Sequence, residues 1–162
     1  MAVEACIDQQ AAKVTILRDG HEQTLSVGCS EVHSDGTRHI VMWCGLVLQQ
    51  AYRAVLERGF APEEGGVYIS YYLFGSPAHK YKLVPKHWLI ELNGESVADL
   101  PSFLRMIQGL THNASVRVKT CDLNGKKTAY TLKTDHNYWR SYEVYRKGDE
   151  WVLHVMPEPE VT

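Results

Sequence analysis

The stretch from Gly66 to Gly94, GVYISYYLFGSPAHKYKLVPKHWLIELNG, constrains the fold more tightly than any other part of the chain. It reads as strand, turn, short helix, strand and tight turn. Gly66-Val67-Tyr68-Ile69-Ser70 is a short β-rich run. Gly75-Ser76-Pro77-Ala78 is a helix start: the Ser76 hydroxyl can accept from the first free N–H groups, and Pro77, with no N–H to lose, suits the first helical position. Trp88-Leu89-Ile90-Glu91-Leu92 is a second strand. Asn93-Gly94 is the strongest short turn signal a chain can carry, because both residues tolerate positive φ.

Two hairpins frame this unit. Lys13 to Val27 alternates apolar Val14, Ile16, Leu25 and Val27 with polar residues around an Asp19-Gly20 turn, and Ser115 to Lys133 repeats the plan with Val116, Val118, Tyr130 and Leu132 around Asn124-Gly125. They read as an internal repeat. Residues 29–38 form a polar linker. His39 to Cys44 is an apolar strand-like run, Gly45 interrupts it, and Leu46-Val47-Leu48-Gln49 resumes it. Ala51 to Arg58 is a short helix closed by Gly59. Asp99 caps a further helix whose Leu100, Phe103, Leu104 and Ile107 share a face, ending at Gly109. The aromatic tail from His136 to Met156 suggests one more hairpin, Tyr142 to Arg146 and Trp151 to Val155 around Lys147-Gly148-Asp149. Its Trp139, Tyr142 and Trp151 either pack back on the domain or form an exposed contact patch. Pro157 to Thr162 is a frayed end.

Composition excludes several functions. The 162 residues carry a net charge of −2 with no basic stripe, which argues against nucleic acid as partner. No apolar run approaches the about 18 residues of a membrane span, and MAVEACIDQQ has neither the basic start nor the apolar centre of a signal peptide. Cys6, Cys29, Cys44 and Cys121 show no CxxC spacing and read as reduced thiols, pointing to nucleus or cytoplasm, or to an organelle if the chain is a fragment. The histidines show no i, i+4 pair and no neighbouring CxxC, so no metal is expected, although His33 and His39 flank a loop within reach of Cys29 or Cys44. Gly65-Gly66 opens a strand, not a helix, so no phosphate-binding loop or cofactor is expected. Ser76 and His79 lie close together, but their spacing at a helix start is that of a cap, so no catalytic residue is expected.

The segments GSPAHKYKLVPKHWLIELNG, ADLPSFL, VRVKTCDLNGKKTAYTLK and DHNYW, with LRDGHEQTL and WCGLVLQQAYRAV before them, are similar in this order to the C-terminal PDZ region of the HtrA/Deg-like serine proteases, the fungal nuclear HtrA-like enzymes and their large plant Deg-type relatives. The resemblance covers about residues 13 to 145. It implies an α+β fold, a small PDZ-like antiparallel sheet or partial barrel capped by two helices, with an extra N-terminal β-hairpin and a C-terminal aromatic hairpin. Residues 1–28 would be the terminal hairpin of a preceding PDZ-like repeat, 29–38 a linker, 39–135 the PDZ-like domain and 136–162 the aromatic extension. The family nucleophile context Gly-Asn-Ser-Gly-Gly is absent, so the chain is not expected to be an enzyme by itself.

The resemblance also implies a site. In PDZ domains a peptide adds as a strand to an exposed sheet edge while backbone N–H groups of a glycine loop hold its terminal carboxylate. Here the N–H groups of Cys44, Gly45 and Leu46 would face the carboxylate, Leu46, Val47, Leu48 and Gln49 would be the edge, and Phe103 and Ile107 would line the pocket. Trp43 departs from the family loop, which has glycine there; the other reading of Trp43-Cys44-Gly45-Leu46 is a bent core strand with a glycine bulge. The expected function is peptide or protein binding that regulates an HtrA-like protease, with contacts to a protease domain or a second copy among the partners. The alternative is a structural or oligomerisation module, favoured if the helix from Leu100 packs too tightly on Leu46–Gln49 to admit a strand.

Overall fold

The computed structural model describes residues 11–28 and 36–157. The N-terminal decapeptide, most of the linker with Cys29 and His33, and the last five residues lie outside them. The chain divides into two compact units, one up to Gly36 and one from Thr37 onward.

In the first unit, strands β1 (Ala11–Arg18) and β2 (His21–Gly28) pair antiparallel, with Val14 opposite Leu25 and Ala12 opposite Val27. Asp19 and Gly20 both take positive φ, 53° and 79°. That is what a two-residue turn between right-twisted strands demands.

The second unit is a mostly antiparallel α+β fold of PDZ-like type. Its strands are β3 (His39–Trp43), β4 (Leu46–Gln49), β5 (Val67–Tyr72), β6 (His87–Leu92), β7 (Glu95–Ser96), β8 (Ser115–Asp122), β9 (Lys127–Lys133), β10 (Tyr142–Lys147) and β11 (Glu150–Val155). Across the sheet they run β11-β10-β3-β4-β5-β6-β8-β9, with β7 folded back on β6. Three short helices accompany them: α1 (Arg53–Leu56), α2 (Pro77–Lys80) and α3 (Leu100–Ile107).

Alternation along the strands sends one set of side chains into the main core. Val41 and Trp43 of β3, Leu46 and Leu48 of β4, Val67 and Ile69 of β5, Leu89 and Leu92 of β6, and Val116, Val118 and Leu132 are all buried there. Helix α3 closes this core with Leu100, Phe103 and Ile107. A smaller cluster of Tyr68, Trp88 and Cys121 is covered by Ala51, Val55 and Ala61, and the Trp88 indole N–H donates to the Phe60 carbonyl at 3.0 Å.

Local signals account for the helix starts. Asp99 accepts from the Ser102 N–H at 2.8 Å while the Ser102 hydroxyl accepts from the Asp99 N–H at 3.0 Å, a reciprocal capping box. Ser76 caps α2 by accepting from the His79 N–H at 3.2 Å, with Pro77 in the first turn. Helix α1 is shorter than the expected Ala51 to Arg58. Its N-cap Tyr52 makes no side-chain cap, and past Gly59 the chain is drawn onto the β8–β9 turn, where the Phe60 N–H donates to the Leu123 carbonyl at 2.8 Å. A Cβ on Gly59 would stand 2.6 Å from that same carbonyl oxygen.

Candidate peptide-binding site

Strand β4 has no open edge. On one side Trp43 pairs with Leu46, Met42 with Val47, Val41 with Leu48 and Ile40 with Gln49. On the other, Leu46 pairs with Tyr72 and Val47 with Tyr71, and after a bulge Leu48 pairs with Ile69 and Gln49 with Tyr68. The expected exposed edge at Leu46–Gln49 is therefore occupied by β3, which is itself flanked by β10, with Tyr142 opposite Met42 and Tyr145 opposite His39. The physical reason is visible in the run His39 to Trp43, which is apolar on both faces from Ile40 onward. Such a strand belongs in a sheet interior with a neighbour on each edge.

The glycine loop is a hairpin turn. Cys44 (φ 50°) and Gly45 (φ 79°) join β3 to β4 as a two-residue turn with both residues in the left-handed region. Neither a ligand loop nor a glycine bulge is formed. The turn is buried and fastened from outside: the Cys44 carbonyl accepts from the Ala78 N–H at 3.0 Å and the Gly45 carbonyl from the Leu73 N–H at 2.8 Å. A Cβ built on Gly45 would lie 2.1 Å from Ser76 Cβ and 3.4 Å from the Trp139 ring, so the turn packs closely against the start of α2. Burial pushes the Cys44 thiol up to about 12, with the Asp135 backbone hydrogen bond partly opposing it. The thiol is neutral near pH 7 and unsuited to nucleophilic or metal chemistry.

Phe103 and Ile107, expected to line a peptide pocket, are buried in the main core. Trp43 meets Phe103 edge to face at 5.5 Å between ring centroids. Strand β3 runs antiparallel to β4 and ends at the turn with Trp43 as its last side chain, along the edge that was expected to be open. The Trp43 indole N–H is buried without a hydrogen-bond partner among the described residues, a burden of about 1–3 kcal/mol. Trp43 is the site residue that the sequence expectation left out; its alternation with Val41 on one face was the available signal.

The aromatic extension forms the expected hairpin: β10 packs on β3 with Tyr142 half-buried, Trp151 on β11 stays 51% exposed, and His136 and Met156 are buried near the end of α3. Glu143 ties three strands, accepting from His39 of β3 at 2.9 Å and lying 3.5 Å from His154 of β11. Ser76 is fully buried as a helix cap, and His79 uses Nδ1 to accept from the Gly75 N–H while its ring stacks on Tyr72. A polar cleft of about 440 Å³ lies between α2 and the segment from His112 to Trp139, lined by Lys80, Tyr81, His112, Lys133, Asp135 and Tyr138 among others. Among the described residues no group of three His, Cys, Asp or Glu side chains is placed to hold a metal, and no helix is long and apolar enough to cross a membrane.

No protein-family model matches the chain. Protease Do-like 7 of Arabidopsis thaliana is 43% identical over 132 residues, 81% of this chain and 12% of its own length. The pro-apoptotic serine protease NMA111 of Yarrowia lipolytica is 27% identical over 90% of this chain and 14% of its own length, and NMA111 of Scheffersomyces stipitis is 27% identical over 89% and 15%. The chain thus spans between about an eighth and a seventh of these relatives.

Proposed function

We propose, from a chain homologous to a segment of the HtrA-type serine proteases of plants and fungi, that this segment is a PDZ-type protein-interaction module of such a protease, non-catalytic in itself and closed by its own strand β3. The observation that carries this reading is the pairing of β4 on both edges with Trp43 seated against Phe103. A peptide can add to β4 only after β3 leaves. Release breaks the β3–β4 ladder and exposes a buried Trp, whose removal from a core is worth about 3–5 kcal/mol. At about 4 kcal/mol the open form is populated about once in a thousand molecules, and the apparent peptide affinity falls by that same factor. A groove of micromolar intrinsic affinity then reads as millimolar.

The non-catalytic role is supported by the cap function of Ser76 and by the missing Gly-Asn-Ser-Gly-Gly context. The chain's part in a longer protease would be to hold or orient protein segments relative to a catalytic domain.

Titration of the intact chain with peptides bearing free and amidated C-termini, followed by NMR of the Leu46–Gln49 amides, tests this. The expected result is no carboxylate-dependent shift in the intact chain and measurable binding in Trp43→Ala, where the seat of β3 is weakened. Micromolar binding of free-carboxylate peptides to Leu46–Gln49 in the intact chain overturns closure by β3. Cleavage of an unfolded protein by the purified chain overturns the non-catalytic assignment.

A further inference from the structure

The sheet ends on two strands of opposite character. On β9 the outward side chains are Lys127, Ala129, Thr131 and Lys133, and lysines at an edge discourage a further strand. On β11 the side chains on one face are Trp151, Leu153 and Val155, which are 51%, 62% and 45% exposed, and the strand itself carries no lysine and no proline. No strand pairs with its outer edge among the described residues. These side chains also end an apolar band that crosses the sheet. Tyr71, Val47, Met42, Tyr142 and Val155 stand directly opposite one another from β5 through β4, β3 and β10 to β11.

The backbone of β11 is aimed outward at defined places. Lys147 and Glu150 are partners across the Gly148-Asp149 turn, so the polar groups of Glu150 point to β10. The Met156 N–H, six residues on and of the same parity, donates to the Ser141 carbonyl. By alternation the N–H and C=O groups of Trp151, Leu153 and Val155 point away from the sheet.

We propose that β11 pairs antiparallel with β11 of a second copy of this chain about a two-fold axis at Val152. The edge is self-complementary in this register. Trp151 lies opposite Leu153 of the other copy, and both have outward polar groups, so they exchange N–H···O bonds. Glu150 lies opposite His154 of the other copy, twice by symmetry. His154 turns Nδ1 toward its own Glu143, which leaves Nε2 on the far side of the ring to meet that second carboxylate. Aromatic–aliphatic and charged cross-strand pairs of this kind stabilise a ladder. The pairing continues the apolar band from one sheet into the next and leaves no strand edge exposed on that side.

Sedimentation of the full chain between about 1 μM and about 1 mM, spanning weak to moderate affinity, gives a monomer–dimer equilibrium. Leu153→Lys weakens it at least about tenfold by setting an unpaired charge in the ladder, with the thermal midpoint of the dilute monomer unchanged because the side chain is exposed. The register is read by cross-linking. In Val152→Cys the introduced residues face each other at a non-hydrogen-bonded pair about 4.5 Å apart between Cα atoms, within disulfide range. Mild oxidation followed by peptide mapping yields the link between the two residues 152, while Leu153→Cys yields none at 153. A chain that stays monomeric across the range, a dimer indifferent to Leu153→Lys, or a cross-link at another register overturns the proposal. A monomer would also point to a different occupant of β11, such as a strand from elsewhere in a longer protein. None of these outcomes bears on closure of the groove by β3, which is read at Leu46–Gln49.

Discussion

Replacing Gly45 with alanine tests the buried turn most directly. Two costs can be separated. Gly45 sits at φ 79°, where an added Cβ costs about 1–2 kcal/mol. The new Cβ would also stand 2.1 Å from Ser76 Cβ, and to regain an ordinary contact of 3.4 Å one of them must move about 1.3 Å. Ser76 is fully buried and caps α2, and the turn is held by the Ala78 and Leu73 N–H groups, so neither can yield cheaply. Overpacking of this kind costs about 1–3 kcal/mol. Some weakening of the turn's fastening bonds, at about 1 kcal/mol each, adds to it. The expected loss is about 3–5 kcal/mol against a domain stability of about 5–15. Gly94 supplies the control: its φ is 90° and nothing lies within 4 Å of a built Cβ, so Gly94→Ala carries the backbone cost alone. Urea unfolding reads both variants. The midpoint for Gly45→Ala falls by about 2 M with an unchanged slope, and Gly94→Ala by less than half of that. Equal shifts for the two variants would refute the close packing of the turn on Ser76.

Trp43→Phe keeps the edge-to-face contact with Phe103 and removes the unpartnered indole N–H, so it costs less than about 1.5 kcal/mol, while Trp43→Ala costs about 3–5 by chemical denaturation; equal losses would show that the buried N–H is no burden. The Ser102 N–H, and secondarily its hydroxyl, holds the Asp99 carboxyl below the ordinary carboxylate range. Its stabilisation is therefore fully present above about pH 3.9 and is lost as pH falls through the lower folded value. Asp99→Asn, which caps without titrating, flattens the acid limb of a pH–melting profile, and an unchanged limb would remove Asp99 as its source. Cys44 moves the opposite way: burial raises the thiol to about 12, so the folded state keeps a proton the unfolded chain gives up, and stability declines as pH rises above about 8.5. Mass mapping of native alkylation finds residue 44 unmodified at pH 8 until denaturant is added; rapid modification in the native state would contradict its burial.

Turn chemistry was the most legible part of this chain. Asp19-Gly20 and Asn93-Gly94 both adopt the positive φ values their residue types favour, and Ser76 and Asp99 cap the helices they were expected to cap. These features are local, and a few residues decide them. The hairpin Tyr142 to Val155 was legible for the same reason. Its place beside β3 was not, because the pairing joins residues such as His39 and Tyr145 that no local pattern connects. The candidate groove failed to appear at one dipeptide. Cys44-Gly45 has the apolar-glycine character of a ligand loop, and cysteine is an unusual choice for a left-handed turn position, so its residue types gave little sign of a two-residue hairpin. The burial of both Val41 and Trp43 on one face, with Ile40 and Met42 on the other, is the pattern of an interior strand. Once that pattern is weighed, the neighbour on the far edge of β4 has to be β3.

The pairing of β3 with β10 has a topological consequence. The second unit begins near β3 and its described part ends just past β11, two strands away in the sheet. His39 lies opposite Tyr145, and Val155 is opposite Tyr142, which faces Met42. Three residues along a strand and two strand spacings across place His39 and Val155 about 14 Å apart. A unit whose entry and exit lie side by side hangs from a longer polypeptide at a single point. Such a unit can be looped into or cut out of a longer polypeptide while the flanking segments stay within reach of each other, and a linker of a few residues could join its ends to open the circle elsewhere.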